Sequence, residues 1–216
     1  MKFSVRGGVA VITGAASGIG AALASELAAR GCHLALIDHD RDNLAGSAAA
    51  ARKHGVRVSE HDADIVDPAA PDTLREAVLA QHGKTSVLVN NAGVGLLGRF
   101  DEVTLADMEW LFAINFWGTV RMCKAFLPVL RQQPAAHIVN ISSMFGIVAP
   151  AGQTAYAAAK FAVRGFSEAL MHELEGSPIN VSVVHPGYVK TAIARNARVA
   201  TAVDPEDAAQ RIAAFD

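Results

Sequence analysis

Short uninterrupted apolar runs alternate along this chain with longer stretches in which apolar residues recur every three or four positions. An unbroken aliphatic run marks a strand buried on both faces, and three-to-four spacing marks a helix with one buried face. The pattern predicts strands near 9–13, 32–37, 56–60, 86–90, 137–142 and 180–185, and helices near 19–30, 42–54, 71–82, 105–131, 154–175 and 205–214. Strand and helix alternate throughout, which requires crossover connections and a parallel sheet. Right-handed crossovers place helices on both faces. The expected fold class is therefore α/β, a doubly wound parallel sheet in three layers, with residues 1–216 forming a single domain. In such folds ligands sit beyond the carboxyl ends of the strands.

The polar residues at those strand ends change the picture from fold to chemistry. Asp38, Asn90 and Asn91, Ser142 and Ser143, and His185 to Gly187 each follow directly on an apolar run. After the first strand, Gly14, Gly18 and Gly20 punctuate a turn that opens a helix, and Gly31 stops that helix. A turn of this kind aims backbone N–H groups and a helix N-terminus at one point, where phosphate is favoured. The spacing is G-x-x-x-G-x-G rather than the G-x-G-x-x-G of the common dinucleotide fingerprint. Asp38 closes the second strand, where a carboxylate accepts hydrogen bonds from an adenosine ribose and repels the additional phosphate of NADP. Ser17 before Gly18 and His39 after Asp38 are not strongly basic, so NAD is the expected cofactor. Arg41 is the one nearby cation that softens this preference.

Tyr156 and Lys160 stand four residues apart, one helical turn, so their side chains point the same way. An unperturbed phenol titrates near pH ~10. Bringing it to about pH 7 takes roughly 4 kcal/mol of differential stabilisation, which an ammonium in a dry cleft helps to supply. Hydrophobic residues make up 51% of the chain but aromatics only 6%, so the interior is expected to be built from Ala, Val, Ile and Leu. The formal net charge of −2 announces no basic surface for nucleic acid. No membrane-spanning run is visible, the stretch before the first strand is too short for a signal peptide, and Cys32 and Cys123 suit a reducing compartment, so a cytoplasmic protein is expected. The histidines are scattered without metal-ligand spacing, and no metal site is expected.

Six motifs occur in order: TGAASGIG at Thr13–Gly20, NNAG at Asn90–Gly93, Asn115 within AINFWG, the serines of ISS, YAAAK at Tyr156–Lys160, and HPGYVKT at His185–Thr191. In these the chain resembles the short-chain dehydrogenases/reductases of the main, single-domain group, which have a Rossmann fold. The resemblance implies a catalytic set of Asn115, Ser143, Tyr156 and Lys160. Tyr156 would be the general acid or base, Lys160 would lower its pKa and hold the nicotinamide ribose, and Ser143 would hydrogen-bond the substrate oxygen. Ser143 is chosen over Ser142 because the family's serine stands thirteen positions before its tyrosine. Asn115 would interrupt its helix and anchor a water linking the lysine to solvent, while Ser142 would be structural.

For the cofactor, the resemblance implies Gly14, Ser17, Gly18, Ile19 and Gly20 around the pyrophosphate and Asp38 on the adenosine ribose. Asp64 and Ile65 would flank the adenine. Asn91, Ala92 and Gly93 would lie along the adenosine side, and Pro186, Gly187, Val189 and Thr191 would hold the carboxamide. The expected activity is hydride transfer between NAD(H) and an apolar alcohol or ketone. An NADP-dependent ketone or ketoacyl reductase and a non-catalytic nucleotide-binding protein remain as alternatives. Expected wall positions for the substrate are Val94, Gly95, Met144, Phe145, Ala151, Gln153 and Tyr188. Arg195 and Arg198 read as solvated charge on the loop that forms the family's lid. A homodimer or homotetramer is expected through the helices at 105–131 and 154–175. The resemblance implies a seventh strand and a further helix beyond the elements predicted here. Val181 to Val184 is therefore expected to form an apolar sheet edge that further chain or another subunit covers.

Overall fold

The computed structural model describes residues 4–189 and 192–213. Six strands form one parallel sheet: β1 (Val9–Thr13), β2 (His33–Asp38), β3 (Val58–Asp62), β4 (Val87–Asn90), β6 (Ala136–Ile141) and β7 (Ile179–Val184). Their order is β3-β2-β1-β4-β6-β7. The chain reverses direction across the sheet between β1 and β4, with Ala10 opposite Val87. A crevice opens at the carboxyl ends there, the usual ligand position in doubly wound sheets.

Alternate residues of β1 feed two separate cores. Val11 joins Ile37, Leu88, Ile138, Met122 and Phe126 on one face. Ala10 and Ile12 join Leu34, Leu36 and Leu44 on the other. The first core is closed by α3 (Ala70–His82) and α5 (Thr119–Leu130), the second by α1 (Gly18–Ala29) and α2 (Arg41–Arg52). Local signals set the helix ends. Asp40 caps α2 by accepting the Asn43 N–H, Gly83 takes the left-handed conformation that ends α3, and Thr104 and Asp107 form a reciprocal capping box at α4 (Leu105–Phe112).

The structure corrects the single helix expected over 105–131. It divides into α4, a π-helical turn at Ala113–Gly118, and α5. The cause is Asn115, whose side chain turns onto a neighbouring loop instead of staying with its own helix. Its Oδ1 accepts the Val94 N–H at 2.8 Å and its Nδ2 donates to the Val94 carbonyl at 2.9 Å. π-turns of this sort are frequent at functional sites.

A buried polar chain ties the long helix α6 (Thr154–Glu173) to the sheet. Asn90 Nδ2 donates to Asn140 Oδ1 at 2.8 Å, Asn140 Nδ2 donates to Ser167 Oγ at 2.9 Å, and Ser167 Oγ donates to the Val163 carbonyl at 2.6 Å. Breaking such a chain leaves a buried group unpaired at about 1–3 kcal/mol. It thereby fixes the helix that carries Tyr156 and Lys160. A second, two-stranded sheet pairs β5 (Leu96–Leu97) with β8 (Arg198–Val199), and α7 (Pro205–Ala213) follows it. Among the described residues β7 is one edge of the six-stranded sheet, as expected, and β3 is the other. The β7 edge is only partly open: Val181 is buried and Val184 is 40% exposed.

Candidate active site

The crevice between β1 and β4 is a cleft of about 540 Å³, within the range typical of small-molecule sites. Gly14, Ser17, Gly18, Ile19, Asp38, Asp64, Ile65, Asn91, Ala92, Gly93, Ser143, Tyr156, Lys160, Pro186, Gly187 and Val189 all line it. Residues drawn from six strand ends thus converge on one surface. Gly20 lies beneath the first turn, and Thr191 lies outside the described residues.

The floor of the cleft accepts no side chain. Gly14 is left-handed at φ +66°, and a Cβ there would stand 2.8 Å from the Ala92 Cα. A Cβ on Gly20 would stand 2.0 Å from the Gly14 carbonyl oxygen, so any larger residue would displace backbone. Ser17 precedes α1 in an extended conformation, and its exposed side chain makes no capping bond. These features fit the pyrophosphate of a dinucleotide, with N–H groups and the positive end of a helix facing open space.

Asp38 and Asn91 shape this loop as well as facing the cleft. The Asp38 carboxylate accepts the Ala16 N–H at 2.9 Å and the Asp40 N–H at 3.1 Å. Asn91 Nδ2 donates to the carbonyls of Thr13 and Gly14, each at 3.0 Å. Thr13, which sequence reasoning passed over, accepts the N–H groups of both Asn91 and Ala92 on its hydroxyl. A polar residue ending a buried apolar strand was the available signal.

At the other end of the cleft stand Ser143, Tyr156 and Lys160. Lys160 is 3% exposed, and its Nζ donates to the Ile141 carbonyl at 3.0 Å and lies 5.7 Å from the Tyr156 ring centre. Burial lowers its ammonium pKa from 10.5 to about 8. Burial also pushes the Tyr156 phenol up, opposed by a hydrogen bond from Ser143. Phe145 meets the tyrosine ring edge-on at 6.2 Å. Ser142 also lines the cleft, but its hydroxyl is engaged by the backbone of α6, donating to the Lys160 carbonyl at 2.9 Å. Asn115 lies behind this end, and a Cβ on Gly93 would approach its Oδ1 at 3.2 Å and Lys160 Nζ at 3.4 Å.

The lining of the cleft coincides only in part with the positions expected for a substrate wall. Val94 and Gly95 line the cleft, but Met144, Phe145, Ala151, Gln153 and Tyr188 do not, and the Tyr188 side chain is largely exposed. Trp110, Ile114, Ala192, Ile193 and Asn196 also line the cleft. The i, i+4 spacing of Trp110 and Ile114 on the Asn115 helix was the signal for two of them. Arg198 is exposed, as expected of a surface charge, but it lies in β8 and its guanidinium also stacks on Trp110 at 3.6 Å from the ring centre.

A glycine-floored crevice at the switch point of this sheet, with a buried lysine beside a phenol, is the architecture of a nicotinamide-dependent oxidoreductase. The chain belongs to the short-chain dehydrogenase family, whose model matches residues 8–202. It is 46% identical over 209 residues to SadH of Mycobacterium tuberculosis, a protein named only as an oxidoreductase, covering 96% of this chain and 76% of SadH. It is 37% identical to the 1-deoxy-11-beta-hydroxypentalenate dehydrogenase of Streptomyces avermitilis, over 94% of this chain and 78% of that one. Among solved structures, a short-chain dehydrogenase/reductase from Burkholderia phymatum in complex with NAD superposes with a TM-score of 0.86 at 37% identity, over 96% of this chain and 73% of that chain. The protein is thus an oxidoreductase of a family that uses nicotinamide cofactors. Among the described residues no helix is long and apolar enough to cross a membrane.

Proposed function

We propose that the protein transfers hydride between NAD(H) and an apolar alcohol or ketone, with Tyr156 moving the proton. The observation that carries this reading is the convergence of Ser143, Tyr156 and Lys160 at one end of a cleft whose other end is Asp38 and a glycine floor. When bound, the nicotinamide supplies or accepts the hydride. Every other task falls to this chain's residues. Ser143 would hold the substrate oxygen within reach of Tyr156. Tyr156 would donate its phenolic proton to that oxygen in reduction and withdraw it in oxidation. Lys160 would favour the phenolate by its charge and bond the nicotinamide ribose, while the fixed geometry supplies orientation. Gly14, Ser17, Gly18, Ile19 and Gly20 would hold the pyrophosphate, with Asp38 on the adenosine ribose and Asp64 and Ile65 at the adenine. Asn91, Ala92 and Gly93 would flank the adenosine, and Pro186, Gly187, Val189 and Thr191 the carboxamide.

Asp38 favours NAD over NADP. Titrating NADH and NADPH separately against the protein and following nicotinamide fluorescence tests this. NADH should bind more tightly, and Asp38→Ala should weaken it by about tenfold, the loss of a charge-assisted hydrogen bond. The same change should bring NADPH affinity level with or above that of NADH. Equal or tighter binding of NADPH by the unaltered protein would defeat the assignment.

The reading includes a homodimer or homotetramer through the helices at 105–131 and 154–175. Leu105, Met108, Phe112 and Trp117 line a shallow, mainly apolar groove there together with Glu109, and Leu105, Trp117 and, on α6, Phe161 are exposed. Sedimentation at micromolar concentration should show a species of at least twice the chain mass, and a monodisperse monomer would count against it.

A further inference from the structure

The segment from Ala192 to Ala213 lies against residues 94–112 and is fastened at two places. On the side away from the cleft, Arg211 donates twice to the Glu102 carboxylate, at 2.8 and 3.0 Å, and also pairs with Asp207. Ala200, Val203 and Ala208 close an apolar cluster with Val103 and Val199 beside it. On the cleft side, β8 runs beside β5, with the Arg198 N–H donating to the Gly95 carbonyl at 3.1 Å. Gly95 permits the approach, since a Cβ there would stand 2.9 Å from the Ala197 Cβ. Ahead of both fastenings the segment offers Ala192, Ile193 and Asn196 to the cleft.

Arg198 is the element that joins this segment to α4. Its guanidinium covers the Trp110 ring, 3.6 Å from the centre, and NH1 donates to Asp107 Oδ1 at 3.3 Å. Asp107 cannot follow the arginine away, because its other oxygen accepts the Thr104 hydroxyl at 2.7 Å and the Thr104 N–H at 3.3 Å in the capping box. The planar fork of arginine meets carboxylate and aromatic face together, which a lysine ammonium cannot do. The Trp110 indole is thus clamped, and the surface it turns to the cleft is fixed. That surface belongs to the reacting end: Trp110 shares an apolar cluster with Tyr156, Val94 and Leu96. Val94, Ile114 and Ile193 complete a wall with no charged side chain.

The geometry points to Trp110 as the specificity-determining wall for the substrate, held in position by Arg198, and to a rigid, ring-shaped apolar ketone or alcohol as the class that this wall selects. The inference rests on the reading of Tyr156 as the reacting end. A flat indole offers most contact to a rigid carbon skeleton, which loses no internal rotation on binding. A short flexible ketone covers little of it. Arg198 does not touch the substrate; it is a positioning residue.

The test compares decalone, a fused-ring ketone, with butanone, using NADH as the reductant and with NADH affinity measured in parallel. The unaltered protein should prefer decalone in kcat/KM. Trp110→Ala should reduce that preference by about tenfold, the discrimination an apolar pocket commonly supplies. Arg198→Ala should raise KM for decalone by about fivefold with kcat little changed, the signature of lost substrate positioning, and Arg198→Lys should recover part of it. Both variants should bind NADH as the unaltered protein does, which shows that they are folded. If NADH binds but the unaltered protein shows no preference for decalone, or the two alanine variants keep that preference intact, the inference is overturned. If NADH does not bind the unaltered protein, it is the proposed cofactor that fails.

Discussion

Tyr156→Phe should reduce turnover by about a thousandfold while leaving NADH affinity within a few-fold of the unaltered protein. The removed atom is the hydroxyl alone. Phenylalanine retains the ring that Phe145 meets edge-on at 6.2 Å and the apolar cluster shared with Leu111 and Ala159, so the fold of α6 is not disturbed. General acid–base groups contribute about 10²–10⁴ to rate, and the residual activity would reflect binding and orientation. Burial pushes this phenol up, so its proton is held in the protein without nucleotide, and the Ser143 hydroxyl works in the opposite direction. Single-turnover measurement with an apolar ketone distinguishes this from a nucleotide-binding protein that has no chemistry of its own. Turnover within tenfold of the unaltered protein would remove Tyr156 from the acid–base role, and retained NADH binding with no turnover in either protein would favour the non-catalytic reading.

How far the sequence foretold this arrangement depends on how local each determinant is. The order and type of the main elements follow from apolar runs and helical spacing, because each strand of a parallel sheet is buried on both faces. Asp38, Asn91 and Ser143 were legible as polar residues at the ends of such runs. The choice of Ser143 over Ser142 came from the resemblance, and the bond of the Ser142 hydroxyl to the Lys160 carbonyl is consistent with it. What escaped was produced by contacts between distant segments. The π-turn depends on Asn115 reaching Val94, and a periodicity reading of 105–131 continues straight through it. β5 and β8 have two residues each, too few to show any alternation. The stack of Arg198 on Trp110 joins two residues with no common local signal, which is why a loop arginine read as solvated charge. The lining by Ile193 was equally invisible, since that residue comes from a segment distant in sequence from the rest of the cleft.

Lys160→Met should make the protein without nucleotide more stable at neutral pH and at the same time lower turnover by at least about a hundredfold. The folded structure holds a lysine whose pKa has fallen from 10.5 to about 8 through burial. Between those values the unfolded chain binds a proton that the folded chain has released, so raising the pH stabilises the folded form across that window. Below pH 8 the full cost of a buried ammonium remains, roughly 3 kcal/mol at 1.36 kcal/mol per pKa unit. Methionine has a similar length and no charge, so it removes this cost. It also removes the donor to the Ile141 carbonyl, a loss of about 1 kcal/mol. The net expectation is a gain of about 2 kcal/mol, or roughly 4–8 °C in Tm for a chain of this size. Denaturant titrations of both proteins from pH 7 to pH 10 would show the gap narrowing as the lysine loses its proton in the unaltered protein. A gap that stays constant over that range would mean that Lys160 is not a destabilised ammonium. A variant less stable than the unaltered protein at pH 7 would mean that the lysine's hydrogen bonding outweighs its burial. The expected result, greater stability with lost turnover, would identify Lys160 as a charge kept in the core for chemistry against the interest of the fold.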